Sequence, residues 1–160
     1  MSLLLEACGS SKSVTYSASS EPSVRFVPNM SRSAGLTEVR TFNRLKKAYI
    51  EWRGTPYQWG GTTFNGVDCS AFIQVVFDQY LGQKLPRTTL EQMKLGKKIR
   101  RKQVELGDLV FFKTGPTTYH VGVMVDQRHF MHAGITGGVM VSDLNARYWS
   151  THYLSAKRVL

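Results

Sequence analysis

From Leu36 onward the apolar positions fall at two spacings, and the switch between them divides the chain into a helical first part and an extended second part. Val39, Phe42, Leu45, Tyr49 and Trp52 recur at steps of three and four in a stretch rich in Lys and Arg. That is the stripe of an amphipathic helix facing a core, ended by Gly54 with Pro56 behind it. A Gly-rich loop then leads to Val67, and Asp68 opens a second helical segment carrying Phe72, Ile73, Val76, Phe77 and Tyr80 before Gly82. It is apolar on most faces, as a buried central helix must be. Thr88 and Glu91 have capping-box spacing and start a short third helix that Gly96 closes.

Beyond it the period becomes extended. Apolar runs at Leu109 to Phe112, Val121 to Val125 and Phe130 to Ala133, separated by turn residues, predict an antiparallel meander. Asp143 to Trp149 reads as a short helix and Tyr153 to Val159 as a last strand. Helices first and strands afterwards predict an α+β domain over residues 36–160, its sheet packed against the helix that begins near Asp68.

Residues 1–35 change the picture at the other end. They contain a Ser-rich, aromatic-poor stretch and read as a flexible leader. Ala7-Cys8-Gly9 within it has the pattern of a lipoprotein junction, so Cys8 is a candidate lipidation site that would tether the domain to a membrane. No apolar run approaches the roughly 18 residues of a spanning helix. Lys and Arg number 21 against 11 acidic residues, a formal charge of +10 that favours an anionic partner without selecting nucleic acid, membrane or wall polymer. The run Lys97, Lys98, Arg100, Arg101, Lys102 lacks interleaved aromatics and reads as a solvated basic loop, so nucleic acid is not expected as a partner.

Cys69 is the focus of candidate chemistry. With Asp68 as N-cap, its thiol lies in the first turn of a helix, where the backbone dipole favours thiolate. Of the four histidines, His120 and His132 are set apart by register. A three-residue loop at Asp126 to Arg128 places Val125 opposite His129 and Gly122 opposite His132, so that His120 and His132 share one face as diagonal neighbours. That face is expected to meet the helix start, giving nucleophile, base and orienter. His129 points the other way. Such a pairing predicts a Cys69 pKa below, and a His120 pKa above, their ordinary values. A zinc site from Cys69, His120, His132 and Asp68 lacks closely spaced ligand pairs, so no metal or cofactor is expected.

Six ordered segments carry a resemblance: GTPYQWGG from Gly54 to Gly61, the Asp68-Cys69-Ser70 turn, Leu85-Pro86-Arg87-Thr88, LGDLVFF from Leu106 to Phe112, HVGVMV from His120 to Val125 and FMHAG from Phe130 to Gly134. Together they resemble the NlpC-type cell-wall endopeptidases, papain-like cysteine peptidases, and within them the small lipoprotein members. The resemblance implies Cys69 as nucleophile, His120 as general base and His132 as its orienting partner. Tyr57 corresponds to the tyrosine lining the site and helping to hold the oxyanion, and Asp68, Ser70, Trp59 and Arg87 to groove residues, Arg87 reaching a stem carboxylate. Ala71 departs from the glycine common after Asp-Cys-Ser. The implied substrate is a peptidoglycan stem peptide, cut at a D-glutamyl-diamino acid bond or a diamino acid cross-link, in the periplasm at the outer membrane. A noncatalytic wall-binding scaffold and a related amidase or acyltransferase are the competing readings.

Overall fold

The computed structural model describes residues 35–160. The leader and Cys8 lie outside the described residues.

Helix α1 (Leu36–Trp52) buries Phe42, Leu45, Ala48 and Trp52. Val39, at the head of the predicted stripe, stays exposed. The chain turns at Gly54, whose φ of 77° is in the left-handed region that favours glycine. It then runs through a small hairpin of β1 (Thr62–Thr63) and β2 (Gly66–Val67). Helix α2 (Cys69–Val75) follows, capped by Asp68, whose side chain accepts from the Ala71 amide. It continues without a break as a π-helical turn, Val76–Leu81, ended by Gly82 at φ 74°. Buried Phe72, Ile73, Val76 and Phe77 make this segment the predicted central helix. The short α3 (Thr89–Gln92) carries the complete Thr88 and Glu91 capping box.

Six strands form one sheet: β3 (Lys97–Ile99), β4 (Leu109–Lys113), β5 (Tyr119–Met124), β6 (His129–Gly134), β7 (Gly138–Asp143) and β8 (Tyr153–Arg158), in the order β3-β8-β4-β5-β6-β7. The pairings are all antiparallel. β4, β5 and β6 are the predicted meander, in the predicted register: Val123 lies opposite Met131, Met124 opposite Phe130, and the Val125 amide donates to His129 O at 2.9 Å.

Two elements differ from expectation. Lys97–Ile99 is an edge strand rather than a loop, with Lys97 opposite Arg158 and Lys98 opposite Lys157. The helix expected at Asp143 to Trp149 is α4 (Arg147–His152), because Asp143 still belongs to β7 and accepts from the Asn145 amide to turn the chain.

Alternation along the strands gives the sheet two apolar faces. One, with Leu109, Phe111, Val121, Val123, Met131 and Ala133, packs against α1 and α2. The other, with Val110, Phe112, Met124, Phe130 and Ala156, is covered by Trp149 and Tyr153. At the far end of the sheet β7 holds the Gly54 loop: the Gly54 amide donates to Val139 O at 3.0 Å and the Val139 amide to Thr55 O at 2.9 Å. Gly138 makes that approach possible, since a Cβ there would sit 2.2 Å from Thr55 O.

Candidate active site

Cys69 is the first residue of α2 and is 7% exposed. Its sulfur lies 3.8 Å from Thr89 Oγ1 at the start of α3. Burial pushes the thiol pKa up, and hydrogen bonding from the Val121 amide, the Thr89 hydroxyl and the Ser70 amide only partly counters it. The Val121 contact ties the helix start to β5 at the residue next to His120. No hydrogen bond joins Cys69 directly to His120.

The histidines form a chain of their own. His120 Nε2 and His132 Nδ1 are 2.9 Å apart, and His132 Nε2 is 2.8 Å from Ser142 Oγ on β7. His120 Nδ1 is the ring nitrogen left over. For it to accept a proton, His120 Nε2–H must donate to His132 Nδ1, and His132 Nε2–H to Ser142 Oγ. The pair sits on the sheet face away from α2: His120 lies opposite Phe112, and the His132 ring stacks on Phe130 at 4.8 Å. This corrects the expectation that the face bearing both imidazoles is the one that packs on the helix. Thiol and imidazoles belong to opposite faces and come together at the start of β5.

The expected pKa directions are also reversed. Burial takes His120 down to about 4, and His132 falls well below its ordinary value through burial and then the charge of His120. With the thiol bonded to Thr89 and Val121 instead of His120, no ion pair offsets desolvation. Burial thus disfavours the charged forms of the thiol and of both imidazoles alike.

A cleft of about 500 Å³ opens over Cys69, lined by Tyr57, Trp59, Asp68, Ser70, Arg87 and Thr89 among others. Trp59, 82% exposed, stands on its rim. Tyr57 is close enough for its hydroxyl pKa to be raised by burial and then by Cys69 and Asp68. Arg87 is not free to meet a ligand carboxylate: Nη2 donates to Asp68 Oδ2 at 2.5 Å, and Nη1 to Asp68 Oδ1 and Ser70 Oγ, both at 3.0 Å. Burial raises the Asp68 pKa, but Arg87, the Ala71 amide and Ser70 outweigh it and hold the carboxyl below its usual range. His129 is bound to Asp126 and His152 to Tyr148 O, both away from the thiol. Among the described residues no three metal-binding side chains converge.

Residues 54–158 match the NlpC/P60 family. The chain belongs to the NlpC/P60 family. It is 42% identical over 118 residues to the Escherichia coli K12 protein named murein DD-endopeptidase MepS/murein LD-carboxypeptidase, covering 74% of this chain and 63% of that protein. A Haemophilus influenzae relative named probable endopeptidase is 44% identical, covering 72% of this chain and 73% of that one. A solved Staphylococcus aureus structure, described as similar to lipoprotein and of the NLP/P60 family, superposes with a TM-score of 0.68 at 32% identity. It covers 82% of this chain and 45% of that one.

Set against the family pattern, Ala71 is accommodated: it is 1% exposed, and its amide still makes the cap bond to Asp68 at 2.8 Å. Three residues of the site escaped the sequence reading. Thr89 and Ser142 are common polar residues with no spacing signal. Trp149 stacks on His120 with ring centroids 5.2 Å apart and meets His132 edge-on at 4.8 Å.

Proposed function

We propose that this chain is a peptidoglycan hydrolase, a cysteine endopeptidase in which Cys69 attacks a stem-peptide carbonyl with His120 as general base. The observation that carries the reading is the His120, His132 and Ser142 chain ending on a free Nδ1 beside the strand residue that bonds the thiol. For the reaction the thiol leaves Thr89 and turns to His120 Nδ1. As Sγ bonds to the carbonyl carbon, its proton passes to Nδ1, and the imidazolium is stabilised through His132. The developing oxyanion takes hydrogen bonds from the Cys69 amide and the Tyr57 hydroxyl, each donor of this kind contributing about 3 kcal/mol. His120 then gives the proton to the leaving amine and activates water, which hydrolyses the thioester.

Asp68 and Ser70 hold Arg87 along the groove wall, and Trp59 offers an exposed ring to the chain entering it. Of the two candidate bonds, the name of the E. coli relative favours the cross-link over the D-glutamyl-diamino acid bond. A leader of residues 1–35 acylated at Cys8 would hold the domain of residues 36–160 in the periplasm against the outer membrane. Fatty-acid labelling of wild type and Cys8→Ser tests this, and an unlabelled wild-type chain refutes it. Digestion of purified sacculi followed by mass analysis of the fragments tests the activity and the bond together. Sacculi left intact by wild type would favour a wall-binding scaffold, and cleavage only outside the stem peptide a related amidase.

A further inference from the structure

α4 has little to hold it in place. It is six residues long, has no side-chain N-cap and buries none of its residues. A helix that short does not persist by itself in water. Besides the packing of Trp149, its attachment comes from Arg101, in the 3-10 turn Arg101–Gln103 that follows β3. Arg101 Nη2 donates to Leu144 O at 3.0 Å, to Ser150 Oγ at 3.2 Å and to Asn145 Oδ1 at 3.4 Å. Its guanidinium carbon stands 5.0 Å over the Tyr153 ring. One side chain thus clamps the turn before α4, α4 itself and the strand after it.

What α4 carries is Trp149. Besides stacking on His120 and touching His132, its indole lies 4.7 Å from Phe112 and 5.1 Å from Phe130, closing an aromatic box around the imidazoles. We propose that Trp149 is a positioning residue that seals the His120 and His132 pair from water and fixes the ring plane His120 offers to the thiol, and that Arg101 is the latch holding it there. The proposal rests on the reading of His120 as base.

The groups facing the pair make water access the controlling variable. β7 contributes Ser142, β4 and β6 contribute the rings of Phe112 and Phe130, and Cys69 at the start of α2 lies across the sheet beside Val121. The titratable neighbours of Trp149 on its own helix, Tyr148 and His152, lie against each other at 4.4 Å. No carboxylate contributes to the titration of either imidazole, and burial is the cause that brings His120 to about 4. Opening the box readmits water and favours the charged form. A protonated His120 is no base, so loss of the seal costs turnover in mildly acid solution without disturbing the cleft.

The test is an NMR titration of the histidine rings between pH 5 and 7 in wild type and in Trp149→Ala, Trp149→Phe and Arg101→Gln, paired with kcat and KM across the same range. Wild-type His120 should stay unprotonated throughout. Trp149→Ala should bring its midpoint up into the range by at least about one pH unit toward the free value of about 6.5. Arg101→Gln should move it the same way by less, and Trp149→Phe should keep it below pH 5. In Trp149→Ala and Arg101→Gln kcat at pH 5.5 should fall while KM holds. If His120 remains unprotonated in both Trp149→Ala and Arg101→Gln, the proposal is overturned; if Trp149→Ala does not fold, Arg101→Gln decides it. The ring titration needs no substrate, so a wild type inert on sacculi would refute the proposed function and leave this question answered separately.

Discussion

On the helix side of the sheet, Leu109, Phe111, Val121, Val123 and Met131 lie under α1 and α2, and the thiol of Cys69 is set into that layer. On the other side Phe112, Phe130 and the two imidazoles are covered by Trp149 from a six-residue helix. The first side is a core built from two helices and five strands, so its geometry follows from the fold as a whole. The second is a local enclosure whose dryness depends on one indole and its anchor. A nucleophile needs a fixed position above all, and a helix start in a thick core supplies one. A base needs a tuned proton affinity, which a thin, separately held cover adjusts without repacking the domain.

The largest effect should come from removing the reacting atom. Cys69→Ala should lower sacculus hydrolysis by at least about 10⁴-fold, as loss of a nucleophile does elsewhere. Its fold should be intact by circular dichroism, since alanine suits the first turn of α2. His120→Ala should cost about 10² to 10⁴-fold as the loss of a general base, whereas His129→Ala should leave kcat/KM nearly unchanged. Equal losses at His120 and His129 would contradict the strand register.

Next in size is a test of the helix side alone. Phe111→Ala should cost about 3 to 5 kcal/mol in urea unfolding, the range for a fully buried phenylalanine. The His120 titration should stay where it is. If it moved with Phe111 as much as with Trp149, the two faces would not be separable.

Acid should act on the histidine side. The folded-state pKa of His120 is lowered to about 4, while the unfolded chain titrates near 6.5. Between these values the unfolded state binds more protons, so stability rises with pH and is lost as pH falls through the window. By linkage the loss is about 3 kcal/mol for His120, with His132 adding in the same direction. Urea midpoints measured at pH 7, 5.5 and 4.5 should decline steadily. A flat series would mean that the pair is not buried in its neutral form. On the thiol side the sign is opposite: alkylation of Cys69 by iodoacetamide should be slow at pH 6 and rise only above the ordinary thiol range. Fast alkylation at pH 6 would instead indicate a standing thiolate-imidazolium pair. The smallest loss among the site residues should be that of Ser142→Ala. Loss of one hydrogen bond of about 1 kcal/mol to His132 should slow kcat roughly fivefold.

Much of this arrangement was legible before the fold was seen. The helical stripe from Phe42 to Trp52, the Asp68 cap, the Thr88 and Glu91 capping box and the three apolar runs of the meander each follow from a short-range rule, and each is present. The Asp126 to Arg128 loop was enough to pair His120 with His132. Residues whose role depends on elements distant in sequence were not legible. β3 and β8 pair across more than fifty residues, so Lys97–Ile99 carries no local mark of being a strand. Trp149 reaches His120 from α4, a helix bonded to Arg101 more than forty residues earlier in the chain. The pKa directions of Cys69 and His120 differ from expectation because strand alternation puts the imidazoles on the far face, where burial acts on each group without the other's charge.

The lysines along β3 have one more consequence. An edge strand offers unpaired backbone groups to any other extended chain, and a second copy of this protein is the one most often at hand. Here Lys98 faces Lys157 across the ladder, and Lys97 stands next to them. A strand arriving at that edge would have to bring its own β3 lysines alongside these. The charge that reads in sequence as a solvated basic loop thus discourages sheet-to-sheet polymerisation, keeping neighbouring copies separate from one another.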